Sequence, residues 1–264
     1  MLMSTLIKRL SVVIVLFFYN SSFSQNQRIG SNNSIGWIAV TNTLKISPKM
    51  AVFAESQWRR VEGLENPQQN LFRLGLSYSL RKDVNLNMGY AFADTHPYGD
   101  YPNANRFSEN RIYEQIVIKN PVGNVDLSHR FTLEQRFLEK FLIQNGIANT
   151  DWVFLNRMRY RLRVEVPLYR ASSDDNSWSA VLLDEVFVGF GKNVGANVFD
   201  QNRLAALMGY KLNKNIKLEA GYLGQTLQQG KLVNGRSVFQ YNNGFMLTTH
   251  LTFDAVKKTG VVRS

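Results

Sequence analysis

Hydrophobicity in this chain repeats every second residue over long segments, and that period fixes what it can fold into. Phe72, Leu74, Leu76, Tyr78 and Leu80 alternate with Arg73, Gly75, Ser77 and Ser79. After the turn residues Arg81-Lys82-Asp83, Val84, Leu86, Met88, Tyr90 and Phe92 alternate with Asn85, Asn87, Gly89, Ala91 and Ala93. Successive side chains of a strand point to opposite faces, so each segment has one apolar and one polar or small face. The pattern recurs. Val52, Ala54 and Trp58 oppose Glu55, Gln57 and Arg59; Leu127, Phe131 and Leu133 oppose Arg130, Thr132 and Glu134. Phe154, Met158, Tyr160, Leu162, Val164 and Val166 oppose four arginines and Glu165. Segments near 204–212, 216–222 and 245–253 alternate likewise, whereas those near 35–46, 110–119 and 179–190 are less regular. The segments run about 9–15 residues, beyond the usual 5–6 of soluble strands and matching the roughly 9–11 of tilted membrane strands.

A soluble sandwich also alternates. Connections of alternating length favour a barrel: 47–49, 81–83, 120–124 and 213–215 are tight, while 61–69, 95–109, 137–150 and 226–237 are long. Trp37, Trp58, Tyr78, Tyr90, Tyr160, Tyr210, Tyr222 and Phe253 sit near strand ends, where aromatic girdles belong. Gly75, Gly89, Ala91, Gly209 and Gly221 fall on the inward face, where small residues let a narrow barrel close. The expected fold is therefore an all-β, transmembrane up-and-down antiparallel barrel. Eleven segments are clear; bacterial barrels are normally even-numbered, so twelve strands are expected, within a range of ten to twelve. Residues 26–33 form a short first strand or a lumen plug, or else the 167–178 connection hides another element.

The N-terminus reads as an address. Lys8 and Arg9 precede the apolar run Leu10–Tyr19, and Ser22-Phe23-Ser24 resembles a cleavage site. That run is too short to span a bilayer. Residues 1–24 are thus a signal peptide, 25–254 one barrel domain and 255–264 a basic tail, with location in a bacterial outer membrane. Cysteine is absent, which excludes disulfides, thiolate metal sites and a lipidated cysteine. The net charge of +11 is spread over strands and turns rather than gathered in a tail. That spread argues against nucleic acid and for anionic lipid or an anion-attracting lumen.

Chemistry-bearing motifs are scarce. No phosphate loop, dinucleotide fingerprint, metalloprotease helix or nucleophile elbow is present, so no cofactor, metal or catalytic residue is expected. An outer-membrane hydrolase is the least supported reading: His129 and Asn156 both fall on the apolar face, but Ser128 points the other way and no nucleophile joins them. The strongest polar feature is Arg157, Arg159, Arg161 and Arg163, which period two places on one face. Arg130 and Arg136 face the same way. Such a ladder needs water or carboxylates. Glu55, Glu134, Glu165, Glu185 and Glu219 are the expected ion-pair partners, and an anion-binding lumen is the competing reading.

Several stretches carry a resemblance: Glu55-Ser-Gln-Trp-Arg-Arg60, Arg130-Phe-Thr-Leu-Glu-Gln-Arg136, Arg157 to Arg163, Asn197 to Arg203, Gly209-Tyr210 and Glu219 to Tyr222. Together they resemble a family of uncharacterised exported proteins of Gram-negative bacteria, classed as a domain of unknown function. The resemblance spans most of 33–253 and implies an outer-membrane-type barrel without a known activity. Its Phe199, Asp200, Gln201, Asn202 and Arg203 lie at a loop-to-strand junction, as loop packing or as a solute contact.

The leading expectation is a barrel that passes or binds a small anionic solute through an arginine-rich lumen. The alternative is a structural or adhesive protein with a plugged lumen and functional outer loops, Thr95 to Phe107 above all. Outer-membrane lipid is the other expected partner, and nothing in the sequence sets an oligomeric state.

Overall fold

A computed structural model describes residues 28–144, 147–169, 175–195 and 197–256. The proposed signal peptide, residues 26–27 of the suggested first strand or plug and most of the basic tail lie outside them. Eleven strands follow in chain order: β1 (Arg28–Lys45), β2 (Met50–Val61), β3 (Asn66–Ser79), β4 (Val84–Thr95), β5 (Phe107–Lys119), β6 (Asp126–Gln144), β7 (Ile147–Tyr169), β8 (Ser177–Phe190), β9 (Phe199–Lys211), β10 (Ile216–Val233) and β11 (Arg236–Asp254). Each pairs with its neighbour, and β1 pairs with β11 to close a barrel. The count is one below the favoured twelve and inside the expected range. Residues 28–33 are the start of β1 itself rather than a separate strand or a plug.

An odd count has a geometric consequence. Every hairpin reverses direction, so the first and last of eleven strands run the same way. β1 and β11 accordingly pair in parallel, from Arg28 opposite Ser237 to Lys45 opposite Asp254. The N-terminal end of β1 and the C-terminal end of β11 therefore lie at opposite ends of the barrel.

One end carries the tight turns 46–49, 80–83, 120–125 and 212–215, and is called the turn end here. In one of them the hydrogen bond from Arg81 holds the Asp83 carboxyl below the usual carboxylate range. The other, the loop end, differs from expectation. The stretches 61–69, 137–150 and 226–237 are mostly strand, not loop. The β10–β11 hairpin closes in two residues, Asn234 and Gly235, with φ of 50° and 72°. That positive pair is the tight hairpin turn suited to strand twist. Residues 96–106 and 191–198 are the extended connections that remain.

The faces sort as the alternation predicts. Leu74, Leu76, Met88, Tyr90, Ile112, Met158, Leu182, Leu204 and Tyr222 are exposed on the outside. Arg73, Gly75, Gly89, Arg130, Arg157 and Glu219 point inward. Gly75 and Gly89 are cross-strand partners, and a Cβ on either would collide with backbone and with the Tyr113 hydroxyl. The two glycines are a floor on which that ring lies. Trp37 corrects the girdle expectation: it is 4% exposed and sits in the lumen with Ile35, Val61, Val181, Leu207 and Leu223.

Candidate functional site

The lumen is filled by side chains at mid-height and hollow at both ends. Ten arginines line its two cavities. Among the described residues, seven of them are ion-paired to seven carboxylates. The pairs run around the wall. Arg73 meets Glu55 at 3.1 Å, and Arg130 meets Glu185 at 2.7 Å. Arg159 bridges Glu134 and Glu185 at 2.6 and 2.8 Å. Arg157 binds Glu134 at 2.5 Å and Asp200 at 2.7 Å. Arg111 and Arg136 share Glu109 at 2.6 and 2.5 Å. Arg163 joins Glu165 and Glu219 at 2.8 and 2.5 Å, where Lys217 and His250 also converge.

All five carboxylates expected as partners thus hold arginines, as do two that parity left out. Glu109 faces inward on β5, a segment of irregular pattern. Asp200 enters through a bulge: Phe187 pairs with Gln201 but Val188 pairs with Phe199. The extra residue lets Asp200 and Gln201, consecutive in sequence, both be buried inside. The Phe199–Arg203 stretch is therefore the opening of a strand that feeds the network, not a packed loop. Asn202 points outward to Asp184, and Phe199 stacks near Phe239.

Three arginines, Arg59, Arg161 and Arg203, have no carboxylate partner within ion-pair reach among the described residues. Two of them have substitutes. Arg59 donates to Gln57 and Gln69 and lies 4.0 Å over the Trp37 ring. Arg203 donates to Gln201 and lies over both Trp37 and Phe187. Cations on buried ring faces gain real stabilisation. Arg161 has neither. Its cross-strand neighbours are Arg130 and Glu185, and Glu185 is already taken by Arg130 and Arg159. The buried Nε atoms of Arg161 and Arg130 lack partners. Like charges directly opposite one another are destabilising.

Trp37, Arg59, Arg111, Arg157 and Arg203 line both cavities and form the waist between them. The turn-end chamber has a volume of about 630 Å³ and is strongly basic, with Arg161, Arg163, Lys45, Lys49 and Lys119 on its wall. The loop-end chamber has a volume of about 530 Å³.

Residues 96–106 roof the loop-end chamber. Asn242 donates to the Tyr98 hydroxyl at 3.1 Å, and Gln229 donates to the Tyr101 carbonyl at 2.7 Å. Lys231 reaches the Pro102 carbonyl, and Ser31 donates to Asp100 at 2.9 Å. The loop leaves β4, crosses the mouth and fastens to β10, β11 and β1. Its root is fixed by Arg106, whose hydrogen bonds to Asp94 at 2.6 and 2.7 Å raise its pKa above the ordinary value. The stretch Thr95 to Phe107, expected as an outer loop, lies across the mouth of the barrel, with Tyr98 packed on the apolar cluster and accepting from Asn242.

On the outer face, His129 accepts or donates a hydrogen bond with Tyr160 at 2.9 Å. It stands opposite Leu162, while Asn156 stands opposite Gln135. Six residues of strand separate the two, roughly 20 Å. The structure does not bring them together.

Fold and lumen define the class: a closed up-and-down β-barrel, apolar outside, with an ion-paired and chambered interior. Residues 35–234 match the model of a protein of unknown function, DUF2490, and the chain belongs to that family. An uncharacterized protein of Methylorubrum extorquens is 29% identical over 180 residues, covering 67% of this chain and 72% of the relative. No solved structure matches the chain.

Proposed function

We propose that this protein is an outer-membrane barrel that binds a small anion in its turn-end chamber, with the lumen closed to free passage. Long strands with an apolar outer face support the membrane reading, since a bilayer accepts only helices and closed barrels. The ion-paired waist and the roofing loop favour binding over passage. The observation that carries the anion is Arg161. It faces Arg130 without a carboxylate of its own, in a chamber whose other wall residues include four further cations, Arg163, Lys45, Lys49 and Lys119. An anion there would supply the missing acceptor, and charge-assisted contacts contribute about 1.5–3 kcal/mol each.

The test is calorimetric titration of sulfate into the detergent-refolded full chain. Wild type binds, and Arg161→Gln weakens binding about tenfold or more, the equivalent of about 1.4 kcal/mol. Equal binding by the variant, or none by wild type, rejects the reading. Steady large conductance in planar bilayers rejects the closed lumen.

A further inference from the structure

Apolar side chains turned toward the hollow of a barrel need a reason. Phe53 on β2, Val117 on β5, Leu183 on β8 and Met246 on β11 all line the turn-end chamber, and each is half-buried. All four face inward by parity, so the surface they keep opens on the lumen and not on the outer face. Leu71 and Leu223 border the same chamber but are fully covered by their neighbours. Leu183 and Met246 rest on the buried cluster that holds Trp37, Val181, Leu207 and Leu223, and form its surface toward the chamber. Several uncovered apolar side chains around one concavity mark a ligand site, because apolar area left against water is unfavourable.

The free cation stands among these groups. Arg161 is opposite Arg130, which in turn is opposite Val117. On its other side Arg161 is opposite Glu185, and Leu183 takes the next inward position, opposite Arg163. In a ring of eleven strands, β1 and β2 lie farthest from β7, so Phe53 faces the arginine ladder across the lumen. The Nε of Arg161 is sealed without a partner, whereas its two terminal nitrogens make no hydrogen bond among the described residues and keep access to the chamber. The chamber's lysines, Lys45, Lys49 and Lys119, stand at the rim, on strand ends and a turn. At depth the chamber therefore offers one guanidinium without an ion-pair, amide or ring partner, bordered by apolar surface. A bare inorganic anion would answer the guanidinium and leave that surface wet. The volume of about 630 Å³ also gives far more room than such an ion fills, and lies within the range of small-molecule sites.

We infer that the ligand of the turn-end chamber is an organic monoanion with an apolar body, an aryl or short-chain alkyl carboxylate or sulfonate. Its charged group sits on Arg161, and its body lies over Leu183 and Met246 toward Phe53. The inference rests on the anion site proposed above and adds what the anion carries.

The experiment compares ligands that differ in one part at a time. They are titrated by calorimetry into the full chain refolded in an uncharged detergent, with blank titrations into detergent alone. Benzenesulfonate and methanesulfonate share the charged group and differ in the body; benzenesulfonamide keeps the ring and lacks the charge. Benzenesulfonate binds wild type about tenfold tighter, or more, than either of the others, as burial of a ring predicts. Phe53→Ala and Val117→Ala each cut its preference over methanesulfonate by about threefold or more and leave methanesulfonate binding unchanged. Arg161→Gln weakens both sulfonates and leaves the sulfonamide alone. Equal binding of the two sulfonates by wild type overturns the inference, as does a preference kept in both alanine variants. If Arg161→Gln still weakens both sulfonates in that case, the anion reading survives on its own. Benzenesulfonamide binding as tightly as benzenesulfonate, or no binding by any of the three, removes the anion reading and the inference with it. The wild-type comparison decides whether or not a variant refolds.

Discussion

Glu134 is the keystone of the waist, and its neutralisation gives the sharpest stability prediction. It is 1% exposed and accepts from Arg157 at 2.7 Å and Arg159 at 2.6 Å. Glu134→Gln keeps one acceptor oxygen and nearly the same volume, so packing is preserved. The two arginines bind different oxygens of Glu134, so in the glutamine one charge-assisted bond, worth about 1.5–3 kcal/mol, weakens to a bond with a neutral acceptor, and the other is replaced by an NH₂ facing a guanidinium. Arg157 keeps Asp200 and Arg159 keeps Glu185, which limits the loss below the roughly 3–5 kcal/mol of a buried charge stripped of its only partner. The expected cost is about 2–4 kcal/mol. Reversible urea unfolding in lipid vesicles, followed by tryptophan fluorescence, measures it. A second variant checks the cause. In Glu134→Gln with Arg159→Gln, Arg157 still has Asp200 and Glu185 still has Arg130, so the pair of substitutions strips no charge of its last partner. The double variant should therefore be less destabilised than the sum of the singles, by about 1 kcal/mol or more. A single variant within about 0.5 kcal/mol of wild type, or strict additivity, would refute the reasoning.

Other consequences are more local. Arg161→Gln should leave stability unchanged or raise it by up to about 1 kcal/mol in the same unfolding assay, because it removes a like charge opposite Arg130 and breaks no ion pair; a loss of more than about 2 kcal/mol would mean a hidden partner. Trp37→Phe removes the Nε1 hydrogen bond to Gln68 and shrinks the ring beneath Arg59, with an expected cost of about 1–2 kcal/mol. Tyr98→Ala should release the roof, seen as faster proteolytic cleavage within 96–106 while strand content by circular dichroism is kept. Gly235→Val places a branched side chain at a φ of 72° and should destabilise by about 1 kcal/mol or more, measured by the same unfolding midpoint.

Parity is a local property, and everything that rests on it was readable from the chain. Alternation separated the outer Leu and Tyr residues from the inner arginines because each strand faces two different media along most of its length. It placed Arg157, Arg159, Arg161 and Arg163 together, and named five of the carboxylates that pair with lumen arginines, since a residue's face needs only its own strand. It failed where both faces are apolar. Around Ile35, Gly36, Trp37 and Ile38 the lumen itself is hydrophobic, so no alternation marks Trp37 as an inside residue. Parity also cannot see a bulge. Asp200 is inside only because the β8–β9 register slips by one residue.

Tertiary structure decided the rest, through distance. Which carboxylate meets which arginine depends on stagger between strands, which the sequence of either strand does not encode. The parallel β1–β11 seam follows from closing an odd number of strands into a ring. Residues 95–107 look like any polar, Pro-rich outer loop until β10 and β11 stand across the mouth to receive them. The period-two pattern thus determined the barrel and its basic interior; the register and the inward loop determined that the interior is divided, leaving one arginine without a carboxylate partner below the waist.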